Sequence, residues 1–109
     1  MDLSGPFGRY SVSSAKLSEI REKLAGFESR DWNDILVKDQ KRNHSVRVDR
    51  LDARARKRLA EIKKDDFEEL VSLRLSGKER IWGVRIGSVL ELLWWDPLHE
   101  VCPSNLRNT

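Results

Sequence analysis

The sequence predicts an α+β fold, with N-terminal helices packed on a small C-terminal antiparallel β-meander. Two observations predict it. Apolar residues recur three and four apart in the first part of the chain, which is the repeat of a helix face. From Val71 onward they alternate, which is the repeat of a strand. With 109 residues the chain can bury one core, so one domain is expected. It divides into an irregular arm over 1–12, a mainly helical part over 13–70, antiparallel strands over 71–102 and a polar tail over 103–109.

The arm is rich in Gly, Pro and Ser. Ser13 or Ser14 can then accept from the free amides of a first helical turn. Leu17, Ile20, Leu24 and Phe27 share one face of that helix. Gly26 can take the left-handed conformation that ends it, so the helix is expected over 14–26. Ser29 caps a shorter helix that turns Trp32, Ile35 and Leu36 inward. Residues 38–45 are polar and lack a period, and so read as a loop. Val46 and Val48 come next, flanking Arg47 in an extended stub. Asp49 is the expected N-cap of a third, basic helix, with Asp52 in its first turn where the helix dipole favours negative charge. Leu51, Ala55, Leu59 and Ile62 form its narrow apolar stripe, while Arg54, Lys57, Arg58 and Glu61 point largely to solvent. Asp65-Asp66 then begins a short helical turn that delivers Phe67 and Leu70; its acids complement a helix dipole better than they serve as paired catalytic carboxylates.

In the strand half, Val71, Leu73 and Leu75 alternate with Ser72, Arg74 and Ser76. Ser76-Gly77-Lys78-Glu79 has turn chemistry. Residues 80–86 form the next strand, and Gly87-Ser88 suits a tight hairpin. Residues 89–95 are nearly all apolar, as in a strand covered on both faces, and Asp96-Pro97 stops them. A stub at 99–102 can pair again before the tail.

Composition excludes several classes. A chain that is 39% hydrophobic with four Trp is too apolar to stay disordered. No run approaches the roughly 18 apolar residues of a membrane span, and the N-terminus lacks the basic start and apolar stretch of a secretory signal. Cys102 is the only cysteine, so no internal disulfide can form, and a reducing compartment, the cytoplasm, is the expected location. Cys102, His44 and His99 lack metal-ligand spacing; neither a metal nor a small-molecule cofactor is expected. Between Lys41 and Lys64 ten basic residues oppose three acids, a local +7 against +3 for the whole chain. That asymmetry suits a polyanion or an acidic partner, and it equally suits a solvated helix face.

Several side chains invite chemistry. Alternation places Arg80 on one strand face with Trp82, Val84 and Ile86, and Arg85 on the other with Ile81 and Gly83. The two cannot share a phosphate unless a bulge changes the phase. Pairing with Glu79 or Glu91 is the ordinary alternative. His99 follows a strand end and is the one group in this half that titrates near neutrality; it also fits a turn in which His99 or Asp96 bonds backbone. His44 reads as an exposed residue of a basic loop. Trp94 and Trp95 must face opposite ways, with Trp94 in the core in phase with Leu90 and Leu92. Trp95, in phase with Glu91, is the candidate for stacking on bases.

The segment Glu69-Leu70-Val71-Ser72-Leu73-Arg74-Leu75-Ser76-Gly77-Lys78-Glu79-Arg80-Ile81-Trp82, with Arg85-Ile86-Gly87 after it, resembles the RelE/HigB superfamily of small bacterial toxins over about 60–95. The resemblance implies a RelE-like sheet and ribosome-dependent mRNA cleavage without a metal, held in check by an antitoxin protein. It further implies that Arg74, Lys78, Arg80 and Arg85 bind phosphate, with Arg80 and Arg85 sharing in catalysis. His99 is then the proton-transfer candidate, and Arg54, Lys57 and Arg58 contact ribosomal RNA or the antitoxin. The chain departs from the pattern at Val89 and Leu90, where many relatives carry an arginine. It departs again at Trp94-Trp95-Asp96-Pro97-Leu98-His99-Glu100-Val101, which replaces a basic tail and resembles a set of small bacterial proteins of unassigned activity. The alternative is a non-enzymatic module using the same sheet to hold a protein partner. The toxin reading requires residues 70–95 to form a platform whose uncovered side gathers positive charge.

Overall fold

The computed structural model describes residues 2, 5–8, 13–25, 43–75 and 77–102. The helix end at Gly26 and Phe27, and the helix expected to carry Trp32, Ile35 and Leu36, lie outside the described residues. Helix α1 spans Ser14–Ala25, and the Ser13 hydroxyl accepts from the Lys16 amide at 3.1 Å, as a cap should. Of its expected apolar face, Ile20 is buried and Leu24 packs on the sheet, while Leu17 is exposed.

Strand β1, Asn43–Arg47, comes next. The polar sequence of residues 43–45 has no strand signature and reads as loop, yet the segment is extended. It pairs antiparallel with β2 (Glu69–Arg74), in a register that sets His44 opposite Ser72 and Val46 opposite Leu70. Pairing partners outweigh local propensity here. A 3-10 turn at Val48–Arg50 leads into helix α2 at Ala53–Glu61. Its N-cap is Asp52, not Asp49, and the Asp52 carboxylate accepts from the Arg54 amide. A tertiary contact moves the cap, since the Asp52 amide donates to the Val101 carbonyl at 2.8 Å. The helix ends with Lys63 left-handed at φ 60°, its amide on the Ala60 carbonyl and the Lys64 amide on that of Leu59. Asp65 and Asp66 form a turn and no helix, so Phe67 and Leu70 are delivered by the approach to β2.

Strands β3 (Arg80–Ile86) and β4 (Val89–Asp96) complete an antiparallel sheet ordered β1-β2-β3-β4. Gly87 takes φ 64° in the two-residue hairpin between them, the conformation such a turn demands. The fold is thus α+β, and its sheet among the described residues has four strands rather than three. The stub at 99–102 forms no strand; it packs inward, burying Val101 and Cys102.

One face of the sheet carries Val46, Leu70, Trp82, Val84 and Trp94 against Leu51, Ala55, Leu59, Phe7, Val101 and Cys102. The other carries Val71 and Leu73 against Leu24 of α1 and Leu90. The middle of the sheet is covered on both sides, so Leu70 through Leu73 and Ile81 through Val84 are all buried. The arm is pinned at Asp2. Its amide donates to the Leu93 carbonyl, and its carboxylate accepts from Arg58 at 2.7 Å and from the Trp94 indole at 3.0 Å.

A bulge interrupts β4. Trp82 faces Trp94, yet Gly83 faces Leu92, leaving Leu93 as the extra residue. The phase of β4 therefore flips. Trp94 shares a face with Glu91, and Trp95 joins Leu90 and Leu92, the reverse of simple alternation. Trp94 is nonetheless buried, because Leu93 and Trp94 both enter the main core. Gly83, across from the bulge, has no room for a side chain: a Cβ there would lie 2.6 Å from the Glu91 carbonyl oxygen. Gly83→Ala should cost about 1–3 kcal/mol by forcing the strands apart, measured as a lower urea midpoint.

Candidate functional site

The sheet ends in a polar corner on the face that holds the main core. His44, Ser72, Trp82 and Trp94 form one row across the strands, and Arg74, Arg80 and Asp96 form the next. Two cations directly opposite each other repel, and here the β2–β3 turn holds both. Arg74 Nε and Arg80 Nη1 donate to the same carbonyl, that of Gly77, at 3.1 and 2.8 Å, and Arg80 Nη1 also reaches the Glu79 carbonyl at 3.0 Å. Asn43 braces the corner from behind by accepting the Arg74 amide at 3.2 Å.

Asp96 organises the segment beyond β4. Its buried carboxylate accepts from the Trp82 indole at 3.1 Å, from the Glu100 amide at 2.8 Å and from the Val101 amide at 3.1 Å. These bonds tie the 97–101 segment back over the corner and place His99 there. His99 is 9% exposed, and its Nδ1 is buried with no hydrogen-bond partner among the described residues. Its backbone φ is 59°, a left-handed conformation that is uncommon outside glycine and costs on the order of 1–3 kcal/mol.

The electrostatics link these groups. Burial pushes His44 below the usual histidine value of 6.5, and the charges of Arg80 and His99 push it the same way. Burial also pulls Arg80 down, as does the charge of Arg74, with Asp96 opposing both. His44 thus interacts with Arg80 and His99, and Arg80 in turn with Arg74 and Asp96.

The other expected site residues lie elsewhere. Lys78 is exposed in the β2–β3 turn, next to the Gly77 carbonyl that holds both guanidiniums. Arg85 projects from the opposite face at the far end of β3, its Nε donating to the Gly87 carbonyl at 2.9 Å. The bulge lies on β4, so the separation of Arg80 from Arg85 expected from alternation stands. On α2, Arg54 bonds Asp52, Arg58 bridges Asp2 and Glu61, and Lys57 is exposed. The Arg58 bridge to Asp2 is largely buried, a structural use that differs from the expected solvent position. Trp95 is half-buried; its indole donates to Glu79 at 3.1 Å, and the Lys16 ammonium lies 5.6 Å from the ring centre. Glu79 and Glu91, considered as partners for the strand arginines, bond Lys16 and Lys64. Among the described residues no open cationic platform runs across the sheet. The two arginines that meet are Arg74 and Arg80.

Sequence reasoning missed His44. Reading 43–47 as a strand would have put it on the face of Val46, two residues away. Asp65, Asp66, Glu68 and Glu69 line a cleft at the opposite end of the sheet together with Arg47 and Arg56, where both charge signs meet. Among the described residues no group of three or more His, Cys, Asp or Glu could hold a metal ion, and no helix is long and apolar enough to cross a membrane. The chain matches no family model, no curated protein and no solved structure.

Proposed function

We propose that this chain is a metal-independent endoribonuclease of the RelE/HigB-like toxin type, cutting mRNA on the ribosome and restrained by an antitoxin protein. The observation that supports this reading is the meeting of His44, Arg74, Arg80 and His99 at one end of the sheet. RNA cleavage without a metal needs cations for the charge that grows on the phosphate and a group titrating near neutrality for the 2′-hydroxyl proton. The corner contains both kinds of group. The open cationic platform expected over residues 70–95 is not found among the described residues, both faces of the sheet being covered by the protein's own apolar side chains, so the proposal rests on the corner alone.

Inducible expression should arrest growth and translation, and purified protein should cut ribosome-bound mRNA. Arg80→Ala and His99→Asn should each lower cleavage by about 100-fold or more; asparagine is chosen because it tolerates the left-handed backbone. Unimpaired growth, together with intact mRNA in the purified system, would overturn the assignment.

A second reading, the non-enzymatic interaction module, is favoured by one feature. Ile86 and Val89, which flank the hairpin turn, are 51% and 62% exposed. The same expression experiment separates the two, because a module leaves translation intact.

A further inference from the structure

The 97–100 turn joins two fixed points. At its start Asp96 is buried and accepts from the Trp82 indole and from the Glu100 and Val101 amides. At its end Val101 and Cys102 lie in the main core, and the Val101 carbonyl accepts from the Asp52 amide at 2.8 Å. Between these points Leu98 is exposed, Pro97 and Glu100 are half-buried, and His99 alone is tucked inward. We infer that this turn is an acid-sensitive flap, closed while His99 and His44 are uncharged and swung outward when they take up protons, with Asp96 and Val101 as its hinge points. The inference goes beyond the ribonuclease reading and does not depend on whether the chain cuts RNA.

The buried Nδ1 of His99 supplies the first push. In the closed turn it has no hydrogen-bond partner among the described residues. A neutral imidazole carries one N–H and one lone pair, whereas the charged ring carries an N–H on both nitrogens. Charging the closed ring obliges Nδ1 to donate where no described residue accepts, and a buried charge with an unmet donor costs more than a buried neutral group. Asp96 does not meet it, since its oxygens accept from Trp82 and two backbone amides. Swinging the turn outward gives Nδ1 to water and releases the left-handed φ of 59°.

His44 supplies the second. The charged groups described around the two rings are Arg74 on β2, Arg80 on β3, Asp96 at the end of β4 and Glu100 within the turn itself. While the turn is closed, burial first and then the charges of Arg80 and His99 hold His44 below the usual histidine value of 6.5. The repulsion is mutual, so a charged His44 also drives a charged His99 outward. Opening removes His99 from that set, and the open form takes up the His44 proton more readily. The closed turn is therefore fully favoured above pH 6.5 and loses ground as the pH falls below it.

Amide hydrogen exchange followed by NMR from about pH 8 to about pH 5 tests the flap. The Glu100 amide, which bonds Asp96 from inside the turn, should lose about 10-fold or more of its protection as the pH falls, after correction for the intrinsic pH dependence of exchange. The Ile81 and Val84 amides, on the central strand β3, should keep theirs. His99→Asn tolerates the left-handed backbone and carries no titrating group, so its Glu100 protection should stay constant. His44→Gln should keep the response and shrink it, because the unmet nitrogen of His99 remains. Constant protection at Glu100 in the parent, a full response in His99→Asn, or loss at Ile81 and Val84 in step with Glu100 would overturn the inference. If His99→Asn does not fold, the parent decides alone: an inert turn leaves all these amides unchanged, global unfolding exposes them together, and a flap exposes Glu100 first.

Discussion

Replacing Asp96 with alanine should destabilise the protein by about 3–5 kcal/mol, among the largest effects expected for a polar residue in this chain. Its carboxylate is 1% exposed and accepts three hydrogen bonds, from the Trp82 indole and the amides of Glu100 and Val101. Alanine leaves those donors facing a void, and a buried donor without an acceptor costs the full desolvation of the group. It also leaves Arg80 without its nearby counter-charge. Asparagine should be nearly as damaging, since its amide nitrogen would confront a donor wherever it replaces a carboxylate oxygen. Urea unfolding measures the loss, with the midpoint falling by roughly 2 M. A change under about 1 kcal/mol would mean that the carboxylate does not organise the 97–101 segment. If the chain is the ribonuclease proposed above, the variant should also lose cleavage beyond what its folded fraction explains, because the anchor of His99 is gone.

Trp94→Ala should cost about 3–5 kcal/mol by cavity formation. Trp94 is fully buried, faces Trp82 across the strands, and holds Phe7 with ring centres 5.1 Å apart. Its indole also donates to Asp2, which bridges Arg58 of α2. The truncation therefore removes core volume and loosens the strap that joins the arm, α2 and β4. Trp95→Ala should cost distinctly less, since Trp95 is half-buried and loses mainly its bond to Glu79 and the Lys16 contact. Parallel urea titrations compare the two, and equal losses would show that the bulge at Leu93 does not divide them as described.

Much of the fold was legible because it is local. The helix at 14–25, the stripe of Leu51, Ala55 and Leu59, the strand at 80–86 and the glycine hairpin at Gly87 all come from spacing and turn chemistry. The features that escaped were set by partners distant in sequence. Asn43–Arg47 carries one apolar core residue, Val46, and is a strand because β2 offers it an edge. The N-cap moved to Asp52 because Val101 holds its amide. The phase of Trp94 and Trp95 turned on a bulge that no alternation rule foresees.

The candidate site divides in the same way. Arg74, Arg80 and His99 were visible as chemistry, being cations on strands and an imidazole past a strand end. Their company was not, and His44 and the α2 basic residues were sorted only by three-dimensional position. The amino-acid order alone determined the α+β class, the apolar stripe of α2, the glycine hairpin at Gly87 and the separation of Arg80 from Arg85, because each depends on the repeat or turn chemistry of one segment. The tertiary structure decided that β1 exists, that both sheet faces are covered, and that His44 comes near Arg80 and His99. Those outcomes depend on strand pairing and on the bonds of Asp96, and both join segments that no short window of sequence contains.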